Sequence, residues 1–152
     1  MDKRVRTASI SVISNTILVV LKFAVGIMMG SVSVMSEAIH SGLDLMASLI
    51  DFFSLRQAIK PADKRHAYGH GKIENISGIV EGLLIFVAAA MIIVEATKKI
   101  FDPVEIEQTE VAMAVMFTAA LINTIVSRKL YKTAKEEDSM ALEADALHLK
   151  TD

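Results

Sequence analysis

Residues 32–55 read VSVMSEAIHSGLDLMASLIDFFSL and carry the clearest signal of the fold. It is long enough to cross a bilayer as one helix, which takes about 20 residues for roughly 30 Å of hydrocarbon. Polar residues recur along it at helical spacing and therefore share one face, which carries Glu37, His40, Ser41, Asp44, Ser48 and Asp51. The other faces are apolar. The segment is therefore predicted to be a transmembrane helix whose polar face is turned into a helix bundle.

Three further apolar runs have a similar length and cover residues 8–30, 76–97 and 109–127. The 152-residue chain is 53% hydrophobic with a mean hydropathy of +0.46, which is too apolar for an ordinary soluble domain. A fifth apolar run, of about 14 residues, extends from Ser139 to Asp152 and is too short to cross. Asp138 or Ser139 suits its N-cap. We therefore expect an all-α, polytopic transmembrane helix bundle with four complete helices (8–30, 32–55, 76–97, 109–127) and part of a fifth (139–152).

Basic residues are distributed unevenly between the connections. They cluster before helix 1, between helices 2 and 3, and between helices 4 and 5, at Lys3, Arg4, Arg6, Arg56, Lys60, Lys64, Arg65, Lys72, Arg128, Lys129, Lys132 and Lys135. The opposite side has only Lys98 and Lys99, among several acidic residues. The positive-inside rule therefore places the N-terminus in the cytoplasm. The basic head precedes a full-length apolar segment, which we interpret as helix 1 rather than a signal peptide. Cysteine is absent, which excludes disulfides and thiolate metal sites.

Two H-x-x-x-D pairs, His40 with Asp44 and His148 with Asp152, are the strongest functional signal. Residues four apart on a helix lie one turn apart on one face, so two such faces offer two imidazoles and two carboxylates. That set suits a tetrahedral divalent metal, zinc first. At a rise of about 1.5 Å per residue, all four side chains reach the middle of the bilayer. A charged residue there costs about 2.5–3.5 kcal/mol, which favours a metal or proton site over a hydrogen bond that only locks helix packing.

Other polar residues in the spans have two interpretations each. Glu37 and Asp51 share the face of the first pair and are predicted to line a water-filled path, unless they are simply hydrated near the interfaces. Lys22 either extends to the headgroups or pairs with an acidic group inside the bundle, and pairing is favoured. The G-x-x-x-G at Gly26 and Gly30 allows close helix approach.

The connection between helices 2 and 3 contains D-x-x-H-x-x-x-H, formed by Asp63, His66 and His70. These three ligands have the spacing of a metal site with an open fourth position. The alternative is a pair of solvated loop histidines, because glycines flank His70.

Two rival classes fit less well. A soluble di-metal four-helix bundle would explain Glu37-x-x-His40, but a second E-x-x-H is absent and the outer helix faces are too apolar. An intramembrane metallohydrolase needs an open metal position and a general base, as in H-E-x-x-H, and that motif is absent.

Three motifs together resemble the cation diffusion facilitator family of zinc and related metal transporters. They are SEAIHSGLD at 36–44, the loop PAD…HAYGHGKIE at 61–74, and ADALHLKTD at 144–152. The resemblance covers essentially the whole chain.

The resemblance implies a transporter rather than an enzyme, with a six-helix transmembrane domain that forms homodimers and exchanges a divalent metal for protons. It assigns the intramembrane site to His40, Asp44, His148 and Asp152, and a second, cytoplasm-facing site to Asp63, His66 and His70. Residues 1–152 would be an incomplete transmembrane domain without the family's small cytoplasmic C-terminal domain. The ligands favour Zn2+ over Cd2+, Co2+, Ni2+, Fe2+ or Mn2+. The expected partners are lipid, metal ions and protons, with no nucleic acid. The short connection between helices 4 and 5 lacks a His-rich insert and in this resembles bacterial or archaeal members of the family, which implies a location in the cell membrane.

Overall fold

The computed structural model describes residues 2–101 and 109–151, which fold into five α-helices. They are α1 (Lys3–Met29), α2 (Val32–Ala58), α3 (Lys72–Phe101), α4 (Thr109–Glu137) and α5 (Met140–Thr151). Helices α1 to α4 are each long and apolar enough to cross a membrane, whereas α5 has 12 residues. The predicted all-α bundle of four complete spans and part of a fifth is therefore confirmed.

The helices extend beyond the apolar runs from which they were predicted. Helix α1 begins at Lys3 rather than at residue 8, and α4 continues to Glu137 rather than stopping at 127. Lysine, arginine and glutamate are good helix formers, so the polar flanks continue the helix after the apolar run ends. The apolar run therefore marks only the part of each helix that fits the hydrocarbon.

A two-residue turn joins α1 and α2 into an antiparallel hairpin. Gly30 has a φ of 62°, a left-handed conformation that glycine adopts without steric cost, and the Ser31 N–H donates to the Gly26 carbonyl at 3.2 Å. A Cβ on Gly26 would lie 3.3 Å from the Met35 backbone nitrogen. Of the predicted G-x-x-x-G pair, Gly26 therefore allows the close approach, and Gly30 instead ends the helix.

A second hairpin joins α4 and α5 through Asp138 and Ser139. The Ser139 N–H donates to the Ala134 carbonyl at 3.0 Å, and its hydroxyl oxygen accepts from the Leu142 N–H at 3.4 Å. The hydroxyl also donates to the Glu74 carboxylate at the start of α3. Ser139 is thus the N-cap of α5, one of the two residues predicted for that role.

We expect Ser139→Ala to lower the free energy of unfolding by about 1 kcal/mol, because α5 loses its cap and buried Glu74 loses a donor. Denaturant titration in detergent micelles measures this. Ser9→Ala is the matched control, since the Ser9 hydroxyl is exposed and bonds only within its own helix, to the Arg6 carbonyl. Equal stability losses in the two variants would contradict the role given to Ser139.

The two ends of the bundle differ. We call one the loop end; it carries the start of α1, residues 59–71 and the α4–α5 turn, and we call the end with the α1–α2 turn the turn end. At the loop end, α1, α2, α4 and α5 share an apolar core that includes Val5, Leu55, Leu130, Leu142 and Leu149.

Polar side chains occupy the interior of the bundle along the helices, including Ser11, Asn15, Ser41 and Ser48. Many large apolar side chains point outward instead, including Ile13, Phe86, Phe117 and Leu121. A polar interior behind an apolar surface is what a bundle in lipid requires.

Candidate metal-binding sites

Helices α2 and α5 bring Asp44 and His148 together in the interior. The His148 Nε2 lies 2.9 Å from the Asp44 Oδ1, and the two side chains are 10% and 4% exposed. Helix α2 descends from the turn end while α5 rises from the loop end, so residues near the middle of α2 meet residues near the far end of α5. The structure thus places these two groups at the same level of the bundle.

The other two predicted ligands of this site stand differently. His40 is half-buried and lies one turn from Asp44 toward the turn end. Among the described residues, its ligand atoms do not join those of Asp44 and His148 in a set within 4.8 Å. Asp152 lies outside the described residues. Of the three predicted ligands that the structure describes, Asp44 and His148 are in contact.

Glu37 lies on the same face of α2 and has a buried counter-charge. The Lys22 Nζ donates to the Glu37 Oε1 at 2.8 Å and to the Ser41 hydroxyl at 2.6 Å, and the Lys22 side chain is 2% exposed. Lys22 thus pairs inside the bundle, as predicted, rather than extending to the headgroups. Because the pair is neutral overall, Glu37 does not present an uncompensated carboxylate to the predicted path.

A cleft between α2 and α3 opens at the turn end. It has a volume of about 260 Å³, and its lining includes Ser36, Glu37, His40, Glu95 and Lys99. His40 therefore sits between the Asp44–His148 contact and a polar opening in the bundle.

The loop residues Asp63, His66 and His70 converge. Their ligand atoms lie within 4.8 Å of one another, with the His66 Nδ1 3.1 Å from the Asp63 Oδ1 and the His70 Nε2 3.5 Å from its Oδ2. A turn at Gly69, with a φ of 81°, directs His70 back toward His66. Hydrogen bonds from the backbone amides of His66 and Arg65 lower the pKa of the Asp63 carboxyl, so it stays ionised through the neutral range.

A third group of side chains was not recognised as a site from the sequence. Asp51 of α2, Glu81 of α3 and Asp145 of α5 place carboxylate oxygens within 4.8 Å of one another in the interior. Asp51 was predicted only as a path residue, and Glu81 and Asp145 carried no predicted role. The available signal was three carboxylates inside apolar helices, where each is costly. Their convergence was not readable without knowing which helix faces meet.

The chain matches the family model of the cation efflux transmembrane domain over residues 8–152. An uncharacterized transporter of Synechocystis sp. is 36% identical over 132 residues, which are 87% of this chain and 43% of that protein. The cation-efflux pump FieF of Shewanella oneidensis is 28% identical over 142 residues, 93% of this chain and 48% of that protein. An uncharacterized transporter of Methanocaldococcus jannaschii is 29% identical over 143 residues, 94% of this chain and 50% of that protein.

The chain spans about half the length of these curated relatives. All three are named as transporters or efflux pumps, so the predicted class, a transporter family rather than an enzyme family, is confirmed. The four apolar spans agree with an integral membrane protein. Since the family model covers nearly the whole chain, this chain belongs to the cation efflux family, the cation diffusion facilitators that its motifs resemble.

Proposed function

We propose that the protein exports a divalent metal cation, preferably zinc, across the membrane in exchange for protons. The observation that carries this proposal is the contact between Asp44 and His148, 2.9 Å apart on two different helices inside a membrane bundle. Carboxylate and imidazole are both zinc ligands, and neither belongs in an apolar interior without a partner. His40 and Asp152 complete the proposed tetrahedral set.

Metal and proton compete for the same place in this site. A hydrogen bond between the His148 Nε2 and the Asp44 Oδ1 has a proton between the two atoms, and a cation ligated by both atoms takes the position of that proton. Binding of one therefore excludes the other. Exchange needs only this competition and alternating access from the two ends of the bundle, with no covalent step.

We propose that the cation moves from the loop end to the turn end. The loop end faces the cytoplasm in this proposal, because the basic residues are concentrated there. A cation arrives past Asp51 and leaves through the cleft beside His40 and Glu37. Because Lys22 already neutralises Glu37, the cleft does not retain the departing cation through a free carboxylate.

The full protein is proposed to act as a homodimer in a bacterial or archaeal cell membrane, as the family resemblance implies. Its relatives include proteins of both kinds of organism.

Zinc titration of the protein in lipid nanodiscs tests the site. We expect His148→Gln, which keeps a side chain of similar length but removes the imidazole, to weaken zinc binding about 100-fold. Calorimetry in two buffers of different ionisation enthalpy should show proton release on binding to the wild type, and less release for the variant. Glu110→Gln, at an exposed position in the first turn of α4, is the control. Unchanged binding by His148→Gln would overturn the assignment.

The loop cluster of Asp63, His66 and His70 is proposed to bind a second metal ion at the cytoplasmic surface. We expect His66→Ala to remove one bound zinc equivalent and leave the His148-dependent equivalent intact. The lowered pKa of Asp63 means that its carboxylate is available without losing a proton at neutral pH, and becomes unavailable only when the pH falls below the usual carboxyl range. Equilibrium dialysis at neutral pH counts the equivalents. An equal number of bound zinc ions in the wild type and in His66→Ala would exclude a metal site in the loop.

A further inference from the structure

The buried carboxylates of Asp51, Glu81 and Asp145 form a second charged centre in the bundle, which we call the acidic cluster. It draws one residue from each of α2, α3 and α5, and one oxygen from each lies within 4.8 Å of the others. The three residues are 0%, 1% and 1% exposed. Bulk water therefore does not solvate these oxygens.

An independent observation points to a ligand. None of the six carboxylate oxygens of the cluster has a hydrogen-bond partner within 3.5 Å in the described part of the chain, although Ser77 lies near Asp51 and Ser11 lies near Asp145. The buried lysine Lys22 does not neutralise the cluster, because its ammonium group bonds to Glu37 and Ser41. Ionised carboxylates are too costly to bury without a partner, so the cluster must be neutralised, either by a bound cation or by protons.

The spacing of the oxygens matches a cation. Oxygen ligands bound at about 2.0–2.6 Å from a central Mg2+ or Ca2+ ion lie at most about 5 Å from one another. The three oxygens here, which lie within 4.8 Å of one another, satisfy that limit. A donor set made only of carboxylate oxygens suits hard divalent ions such as Mn2+, Mg2+ and Ca2+. It differs in this respect from the Asp44–His148 pair, which contains an imidazole.

The cluster lies on the loop-end side of that pair. Asp51 follows Asp44 by two helical turns, about 10 Å along α2, and Asp145 precedes His148 by about one turn, roughly 4.5 Å along α5. A cation entering from the loop end meets the cluster before it reaches His148.

We propose that Asp51, Glu81 and Asp145 bind a divalent cation in an all-oxygen site, separate from the histidine-containing site. The idea that a transported cation passes this site before it reaches His148 rests on the proposed function. The binding itself does not, because it follows from the cluster's own burial and geometry. Three protonated carboxylic acids with no cation are the alternative that the experiment must separate.

The test counts bound Mn2+ by electron paramagnetic resonance, since free Mn2+ gives a strong signal that is lost on binding. The protein carries His148→Gln and His66→Ala, so that neither histidine-containing site contributes. We expect about one bound equivalent, and at least a tenfold weaker affinity when Glu81→Gln is added. Glu110→Gln removes the same charge at an exposed position and should leave the affinity unchanged.

Thermal unfolding of the same variants protects the test against misfolding. Mn2+ should raise the Tm of the protein that retains Glu81, because a ligand that binds only the folded state stabilises it, and should leave the Tm of Glu81→Gln unchanged. Asp145→Asn provides a second variant with the same expectation. No bound Mn2+ in the parent, or equal binding with Glu81→Gln and Asp145→Asn, would overturn the proposal in favour of protonated acids.

The outcome is separable from that of the proposed function. If the acidic cluster binds nothing, zinc binding that depends on His148 and releases protons still stands. If the histidine-containing site fails its own titration, Mn2+ binding that depends on Glu81 still stands.

Discussion

Asp44→Ala is expected to abolish metal transport by the protein in reconstituted vesicles, with a loss of at least about 100-fold in the initial rate. The carboxylate is 4% exposed and contacts the His148 Nε2, so alanine removes both a proposed ligand and the acceptor that positions the imidazole. Helix insertion should be unaffected, because the substitution makes the centre of α2 more apolar. Zinc-sensitive dye inside the vesicles measures the rate under an imposed proton gradient.

Glu110→Ala is the matched control for this experiment, since it removes a carboxylate from an exposed position outside every cluster. Its transport rate should equal that of the wild type. Both variants should enter the vesicles in the same amount and the same orientation, as protease accessibility of residues 59–71 reports. Transport that persists in correctly inserted Asp44→Ala protein would refute the assignment of Asp44 as a ligand.

Glu37→Gln is expected to lower the free energy of unfolding by about 3 kcal/mol, the low end of what breaking a buried ion pair costs. The cost comes from Lys22, whose side chain is 2% exposed and would keep its charge with only the Ser41 hydroxyl as an acceptor. Glu37 is itself 36% exposed, so its own desolvation contributes little. Denaturant titration in mixed micelles measures the change.

A double-mutant cycle isolates the pair. Lys22→Met combined with Glu37→Gln should recover most of the stability, because both charges are then absent from the interior. Glu95→Gln is the control, since Glu95 also pairs with a lysine, Lys99 at 2.9 Å, but on the helix surface. A surface pair of that kind contributes at most about 1 kcal/mol. If Glu37→Gln and Glu95→Gln lower the free energy of unfolding equally, the buried Lys22–Glu37 pair stabilises the protein no more than a surface pair does.

Positions along single helices were predictable from the sequence. Apolar length predicted four spans, and the fixed rise of a helix predicted a common depth for Asp44 and His148, whose side chains lie 2.9 Å apart in the structure. Capping chemistry offered Asp138 or Ser139 as the N-cap of α5, and Ser139 takes that role. Each of these depends on geometry within one helix, or on the length common to all helices in a membrane.

Which faces of different helices meet was not predictable from the pattern of residues within each helix. Periodicity shows that Glu81 lies inside α3, but not that its face meets Asp51 and Asp145, because that depends on how each helix is rotated and paired. Pairing of Lys22 was predicted, but its partner Glu37 was not. The loop cluster was predictable as a set of ligands by spacing, whereas its closed geometry depends on the left-handed turn at Gly69.

The α1–α2 hairpin and the α4–α5 hairpin are two helical units of the bundle. They are fastened to each other near the loop end, where the Thr7 and Thr133 hydroxyl oxygens lie 3.2 Å apart and Lys3 pairs with Glu136. Asp44 is on the first hairpin and His148 is on the second, and both lie farther from the loop end than these contacts. Separation of the two hairpins at the turn end would therefore increase the distance between Asp44 and His148. If a cation binds between Asp44 and His148 as proposed, its radius would set their separation and thereby the angle between the hairpins. An ion of the wrong radius would then be disfavoured by the movement it requires as well as by its affinity.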